Sequence, residues 1–229
     1  MIVALDGPAG SGKSTTARRV AERLGWLYLD TGAMYRAVGL AFRERGLPFT
    51  DAAAAELMPT LAVSLEPGPG GVRVRLGERD VTEAIRTPEA AEAASRVSAL
   101  GAVREALVEA QRRLARTQAA AGGGVVVEGR DIGTVVFPDA AVKFFVVADL
   151  DARAARRHAE LARQGVAVPL ATVRADLAAR DARDAGRALA PLRPAPDARR
   201  LDTTALSIDE QVERVVAAVA RARREATLS

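Results

Sequence analysis

Between a short apolar run, Ile2–Leu5, and an amphipathic stretch beginning near Thr15, the chain reads Gly7-Pro8-Ala9-Gly10-Ser11-Gly12-Lys13-Ser14. This segment fits G-x-x-x-x-G-K-[ST] in the setting that pattern requires, after a strand and before a helix. Glycine lets backbone N–H groups turn inward around an anion with no Cβ in the way. The N-terminus of the following helix adds partial positive charge. Lys13 is placed to reach β and γ phosphates, and the Ser14 hydroxyl can coordinate Mg²⁺. Lysine occurs at only one other position, Lys143. The expectation is a nucleoside triphosphate held by Gly7, Gly10, Ser11, Gly12, Lys13, Ser14 and Thr15, with Mg²⁺ at Ser14.

The phosphate loop also dictates a fold class. A strand at Trp26–Leu29 closes on Asp30-Thr31-Gly32, and a helix runs roughly from Met34 to Arg45. Strand, helix, strand, helix at this spacing predicts a parallel sheet flanked by helices. The pattern then changes. Leu61–Leu65 and Val72–Leu76 are β-like and are joined by the turn-forming stretch Glu66–Gly71, and Asp80-Val81 suggests a third short strand. This antiparallel piece predicts an insertion over about 46–94 within a single α/β domain spanning 1–229. Helix Ser98–Gln118 follows, then strands Val125–Val127 and Val142–Val147. An arginine-rich helix, Asp151–Arg163, ends before Gly165 and Pro169, and the segment 151–168 has the form of a helical lid. A helix from Leu170 to about Asp184, a strand near Arg200–Asp202 and a helix near Asp209–Arg224 complete the pattern.

Three further clusters suit a polar, anionic acceptor. In Asp30–Arg36, Thr31 has the character of a helix N-cap. Arg36 follows about a turn and a half later, either beside a phosphate or on a solvated helix face. Glu128-Gly129-Arg130-Asp131 lies at the C-terminal end of a buried strand, the edge where α/β sheets bind ligands; a satisfied Arg–Asp pair is the alternative. If the helix continues past Asp184, Arg180, Asp184 and Arg187 fall at i, i+4 and i+7 on one face. They could hold a phosphate and a ribose hydroxyl, or form a salt-bridged surface. Arg153, Arg156 and Arg157 could close over a triphosphate or form a solvated stripe. The single histidine, His158, has no metal-ligand partner at useful spacing.

Composition removes several function classes. The chain has no cysteine, which excludes disulfides, iron–sulfur clusters, cysteine zinc sites and thiol catalysis. It has no asparagine, which removes the Asn-Lys-x-Asp loop by which GTPases commonly read guanine. Thirty-one of its thirty-three basic residues are arginine, whose planar fork suits phosphate and carboxylate. Aromatic residues make up only 3% and acids interrupt every basic run, so a nucleic-acid-binding NTPase is disfavoured. No apolar run approaches the ~18 residues of a membrane span. The N-terminus, Met1-Ile2-Val3-Ala4-Leu5-Asp6, carries no basic leader, and a cytoplasmic protein is expected.

Taken in order, the phosphate loop, Asp30–Arg36, Ile85-Arg86-Thr87, Ala94-Ser95, Val103-Arg104-Glu105, Gly129–Pro138 and Arg180–Arg187 resemble bacterial cytidylate kinase, a nucleoside monophosphate kinase. The similarity extends over essentially the whole chain, and Gly129–Pro138 is the stretch most specific to that family. The resemblance implies transfer of the γ-phosphoryl of ATP to CMP or dCMP, with Mg²⁺, by a monomer that needs neither nucleic acid nor membrane. It assigns Ser95, Arg104 and Asp131 to the cytosine base, and Arg36, Arg130 and Arg187, with Thr31 nearby, to the acceptor phosphate. It gives Arg180 and Asp184 to the sugar, and makes Lys13, Arg130 and a lid arginine, Arg157, the catalytic groups. The insertion becomes the monophosphate-binding subdomain. Thr31 stands where serine is familiar and keeps the hydroxyl, while Ser14 stands where some members have glycine. Another small-acceptor P-loop kinase, such as one acting on shikimate or a different nucleotide, is the alternative of the same class.

Overall fold

The computed structural model describes residues 1–68 and 71–228. Pro69 and Gly70, at the centre of the expected hairpin turn, lie outside the described residues, as does Ser229. Five parallel strands form the main sheet in the order β2-β6-β1-β7-β8: β1 (Ile2–Asp6), β2 (Leu27–Asp30), β6 (Val125–Gly129), β7 (Val142–Val147) and β8 (Arg199–Asp202). All five residues of β6 are buried, as are four of five in β1. Covered on both faces, these strands read as continuous apolar runs rather than alternating ones.

Helices α1 (Lys13–Leu24) and α8 (Ile208–Leu228) cover one face through Ala17, Val20, Val215 and Val219, against Val3, Leu5 and Val146. Helices α2 (Thr31–Glu44) and α5 (Gly101–Ala120) cover the other through Met34, Val38, Val103 and Leu107. A single π turn, Ile132–Val136, adds Ile132 and Val136 to that layer.

Between α2 and α5 the expected antiparallel piece is accompanied by helices. Strands β3 (Val63–Gly68), β4 (Gly71–Leu76) and β5 (Arg79–Asp80) form an antiparallel sheet, with Leu65 opposite Val74. The third strand is Arg79–Asp80; Val81 instead packs with Val74 and Ile85 against Ala33 and Ala37 of α2. Two helices that the sequence reading passed over flank this sheet: α3 (Asp51–Leu57), capped by Thr50, and α4 (Pro88–Val97), capped by Thr87. Thr87-Pro88-Glu89 is a helix start, with a hydroxyl cap, proline at the first position and an acid in the first turn. The helix expected from Ser98 therefore begins at Gly101, after α4 has ended.

Helices α6 (Leu150–Arg163) and α7 (Leu170–Ala185) pack together through Ala154, Leu161, Val173 and Leu177, and Ala9 of the phosphate loop joins that cluster. Among the described residues no helix is long and apolar enough to cross a membrane. The C-terminal ends of β1, β2 and β6 thus bring the phosphate loop, Asp30-Thr31 and Glu128–Asp131 to one edge of the sheet, where α6 and α7 meet them.

Candidate functional site

The phosphate loop leaves the central strand at Asp6. A Cβ on Gly7 would lie 2.1 Å from the Val146 carbonyl oxygen, so only glycine lets the loop pass over β7. Gly10 and Gly12 adopt left-handed backbone, with φ of 74° and 86°. Gly12 precedes α1 and offers no side-chain cap, so the first-turn N–H groups are open to an anion. The helix starts at Lys13, two residues earlier than the apolar pattern suggests.

Lys13 is buried, with Nζ 3.4 Å from the Pro8 carbonyl and 3.6 Å from Glu128 Oε2. Burial and then Arg130 draw its pKa down to about 8, against the opposing pull of Glu128. Glu128 also accepts from the Tyr28 hydroxyl at 2.9 Å.

Asp30, rather than Thr31, caps α2, its Oδ1 accepting from the Ala33 N–H at 2.9 Å. Thr31 is the first helical residue and is buried, with its hydroxyl donating to the Glu128 carbonyl at 2.7 Å. A carboxylate is the stronger acceptor for the helix terminus, which frees the threonine to tie β2 to β6. Arg36 pairs with the other Asp30 oxygen at 2.9 Å.

Asp184 joins two of the expected phosphate-holding arginines. Its Oδ2 accepts from Arg130 Nε at 2.7 Å, and its Oδ1 accepts from Arg187 Nη2 at 3.1 Å. Burial alone would raise this carboxyl, but Arg130, Arg187 and Arg180 overcome it and hold it below the usual range. Arg180 behaves differently. Burial and the neighbouring Arg130 draw it down to about 10, and its Nε is buried with no partner among the described residues. Arg104 donates to Asp131, both groups being buried, and its Nη1 lies 3.5 Å from the Tyr35 hydroxyl. Ser95, on α4, is half-buried.

The three arginines of α6 separate by their partners. Arg153 is buried, donating to the Ala148 and Ala9 carbonyls and pairing with Asp181 at 2.7 Å. Arg156 donates to Thr203 Oγ1 and to the Thr203 and Thr204 carbonyls. Among the described residues Arg157 pairs only with Glu160 on its own helix, at 2.7 Å, and the two side chains are 35% and 46% exposed.

Several residues that sequence reasoning passed over hold this site. Thr203, at the end of β8, is fully buried and donates to the Ser11 carbonyl at 2.8 Å. Gln211 accepts from Thr16 at 2.7 Å beneath the phosphate loop. Ser98 accepts from Arg187 Nη1 at 3.1 Å. Asp6 accepts from the backbone of Ile132 and Gly133. Local pattern carries no signal for Thr203, Gln211 or Ser98, because each acts on a residue about 90 or more positions away.

The cluster can be summed. Lys13, Arg36, Arg104, Arg130, Arg180 and Arg187 face Asp30, Glu128, Asp131 and Asp184, with the buried Asp6 carboxylate bearing on Arg130 and Asp131, so cations outnumber carboxylates by six to five. A net positive cluster suits an anionic ligand. No group of three or more acidic, histidine or cysteine side chains that could hold a metal ion occurs among the described residues. The exposed Ser14 hydroxyl at the start of α1 is a fitting oxygen ligand for Mg²⁺, which usually keeps waters and takes phosphate oxygens rather than a protein cage.

A sequence model of the cytidylate kinase family matches residues 3–221. The cytidylate kinase of Salinibacter ruber is 52% identical over 216 residues, covering 94% of this chain and 95% of that protein. That of Exiguobacterium sibiricum is 49% identical over 214 residues, covering 93% and 94%. That of Geobacter sulfurreducens is 47% identical over 228 residues, covering 99% and 95%.

Proposed function

The chain belongs to the cytidylate kinase family, an ATP-dependent kinase of CMP, and from that premise we propose how its residues divide the work. The acceptor phosphate takes Arg36, Arg130 and Arg187, with Thr31 beside them. The sugar takes Arg180 and Asp184, and the cytosine takes Ser95, Arg104 and Asp131. The donor triphosphate lies on Gly7, Gly10, Ser11, Gly12, Lys13, Ser14 and Thr15. dCMP is accepted as well as CMP. The observation that carries this division is Asp184, whose two oxygens bond Arg130 and Arg187 beside the unpartnered Nε of Arg180. One carboxylate thereby orients both phosphate-holding arginines and sits where a sugar hydroxyl would satisfy Arg180.

The chemistry needs no general base. A nucleoside monophosphate has a second pKa of about 6 and already presents an anionic oxygen at neutral pH. That oxygen attacks the γ-phosphorus in line, and the bond from the γ-phosphorus to the β–γ bridging oxygen breaks, leaving ADP. Positive charge must surround the transferring oxygens and two polyanions must be held face to face. Lys13 and the loop N–H groups serve the donor. Arg130 stands between the two sides, because its charge already bears on Lys13 while its Nε bonds Asp184. Mg²⁺ held by Ser14 and the phosphates would neutralise charge on the β and γ oxygens.

Arg157 is the lid arginine assigned to the transition state. Arg153 and Arg156 are committed to carbonyl oxygens and Asp181, whereas the Arg157–Glu160 pair is exposed, a kind of contact worth only ~0–1 kcal/mol and easily exchanged. Closure of α6 over the donor would expel water that otherwise competes as acceptor. A monomer in the cytoplasm, where both nucleotides are made and used, completes the reading.

ADP formation from ATP against CMP, dCMP, UMP, AMP and shikimate tests the proposal. CMP and dCMP should be phosphorylated far faster than the rest. A kcat/KM for UMP comparable to that for CMP would refute the base-reading scheme.

A further inference from the structure

The last residue of β1, Asp6, is buried, and it forms no ion pair among the described residues. Its Oδ1 accepts the Ile132 N–H at 2.8 Å and its Oδ2 accepts the Gly133 N–H at 2.7 Å. These two N–H groups open the π turn and follow directly on Arg130 and Asp131. The turn has no other side-chain cap.

A buried carboxylate without a cation is an expensive way to cap a turn. Burial pushes the Asp6 pKa up to about 6, and the two N–H bonds only partly offset this. A neutral side chain would avoid the charge penalty. An asparagine offers a single acceptor, however, and its NH₂ would face the second N–H. A carboxylate alone receives both N–H groups symmetrically at this depth, and charge-assisted bonds fix the backbone more firmly.

We propose that Asp6 is a positioning residue for acceptor recognition, the carboxylate fork that fixes the backbone presenting Arg130 and Asp131 to the monophosphate and the base. This inference rests on the reading in which those two residues meet the acceptor. Asp6 thereby joins the two halves of the site: the strand that launches the phosphate loop also sets the register of the loop that reads the acceptor. The charged groups around it are Asp131 and Arg130 on that loop. Lys143 of β7 packs on the same side of Gly133 as Asp6, its Cδ 3.2 Å and Asp6 Oδ2 3.4 Å from where a Gly133 Cβ would be, but its Nζ is held by Asp197 at 2.9 Å.

The test compares the wild-type enzyme with Asp6→Asn and Gly133→Ala. Gly133→Ala loads the same joint without altering the strand or the phosphate loop. Its new Cβ would meet Lys143 Cδ at 3.2 Å, Asp6 Oδ2 at 3.4 Å and Ala195 Cβ at 3.5 Å. KM is measured for CMP and for ATP separately. Asp6→Asn should raise KM for CMP about 10-fold, the loss of one charge-assisted bond, and leave KM for ATP within about twofold. Gly133→Ala should raise KM for CMP by about three- to tenfold with ATP unaffected. Wild-type KM for CMP should also climb more steeply than that of Asp6→Asn as pH falls through 6. The slope remaining in Asp6→Asn belongs to the phosphate of CMP itself. If Asp6→Asn fails to fold, Gly133→Ala decides alone. Equal rises in both KM values, or an unchanged KM for CMP, overturn the positioning role. A wild-type enzyme inert toward CMP would instead overturn the acceptor assignment beneath it.

Discussion

Asp131→Asn isolates the choice of base. Asp131 and Arg104 are buried together, at 5% and 7% exposure, so neither group can recruit bulk water when its partner changes. In the proposed complex the carboxylate accepts from the cytosine amino group, while Arg104 donates to the ring acceptors. Uracil carries a carbonyl oxygen at the amino position and would place an acceptor against an acceptor. Replacing the carboxylate by an amide removes one charge-assisted bond to cytosine, worth ~1.5–3 kcal/mol, or about 10- to 150-fold in kcat/KM for CMP. The same change gives uracil a donor in place of a repelling charge, so kcat/KM for UMP should rise. The CMP/UMP ratio should therefore fall by at least about 10-fold. A coupled assay of ADP release with both acceptors, at saturating ATP, measures the ratio directly. Arg104 loses its counter-ion as well, so a melting curve must show that the variant remains folded. A folded variant whose CMP/UMP ratio matches the wild type would refute the assignment of Asp131 to the base.

Lys13→Ala should abolish phosphoryl transfer while thermal unfolding stays cooperative; retained turnover would remove Lys13 from the mechanism. With the Lys13 pKa drawn down to about 8, the free enzyme loses this cation as pH rises through 8. kcat/KM for ATP should fall above that pH while kcat, reporting the anion-bound state, holds further, and a pH profile of both parameters checks this. Asp184→Ala leaves Arg130 and Arg187 without their shared carboxylate, so KM for CMP should rise about 10- to 100-fold with KM for ATP little changed. An equal effect on both substrates in steady-state kinetics would reassign Asp184.

The parallel core was legible because its signals are local. Val125–Val127 and Ile2–Leu5 are unbroken apolar runs, and the phosphate loop fixes what joins strand to helix. Helix α3 was hidden by its alanines, Ala52–Ala55, which carry no apolar periodicity, and α4 by a buried face made mostly of alanine, Ala90, Ala93 and Ala94 with Val97. At Asp30-Thr31 two side chains compete for one cap, and only the pairing of β2 with β6 shows that Thr31 is drawn to the Glu128 carbonyl. Spacing correctly placed Arg180 and Asp184 on α7, but that helix ends at Ala185, so Arg187 reaches Asp184 from beyond the terminal Gly186, and their partner Arg130 comes from another element. The three lid arginines share a helix and a charge, so only the positions of Ala9, Thr203 and Glu160 distinguish them.

The pairing of nearly every site cation with a carboxylate bears on how a ligand is chosen. An unpaired cluster of six cations would repel itself and bind any polyanion that could enter. In the proposed complex an incoming phosphate must take over bonds already made by Asp30 to Arg36 and by Asp184 to Arg130 and Arg187. A bare phosphate offers oxygens for those arginines and nothing for the carboxylates they release. In the proposed complex a nucleotide also supplies a sugar hydroxyl to Asp184, so that displaced acceptor finds a new donor, while Asp30 keeps the Ala33 N–H. Leaving a buried carboxylate unsatisfied costs more than a single arginine–phosphate bond returns. Discrimination between a nucleoside monophosphate and simple phosphate therefore comes from the acids as much as from the arginines. The Nε of Arg180, buried and with no partner among the described residues, is a donor in the cluster already waiting for an acceptor.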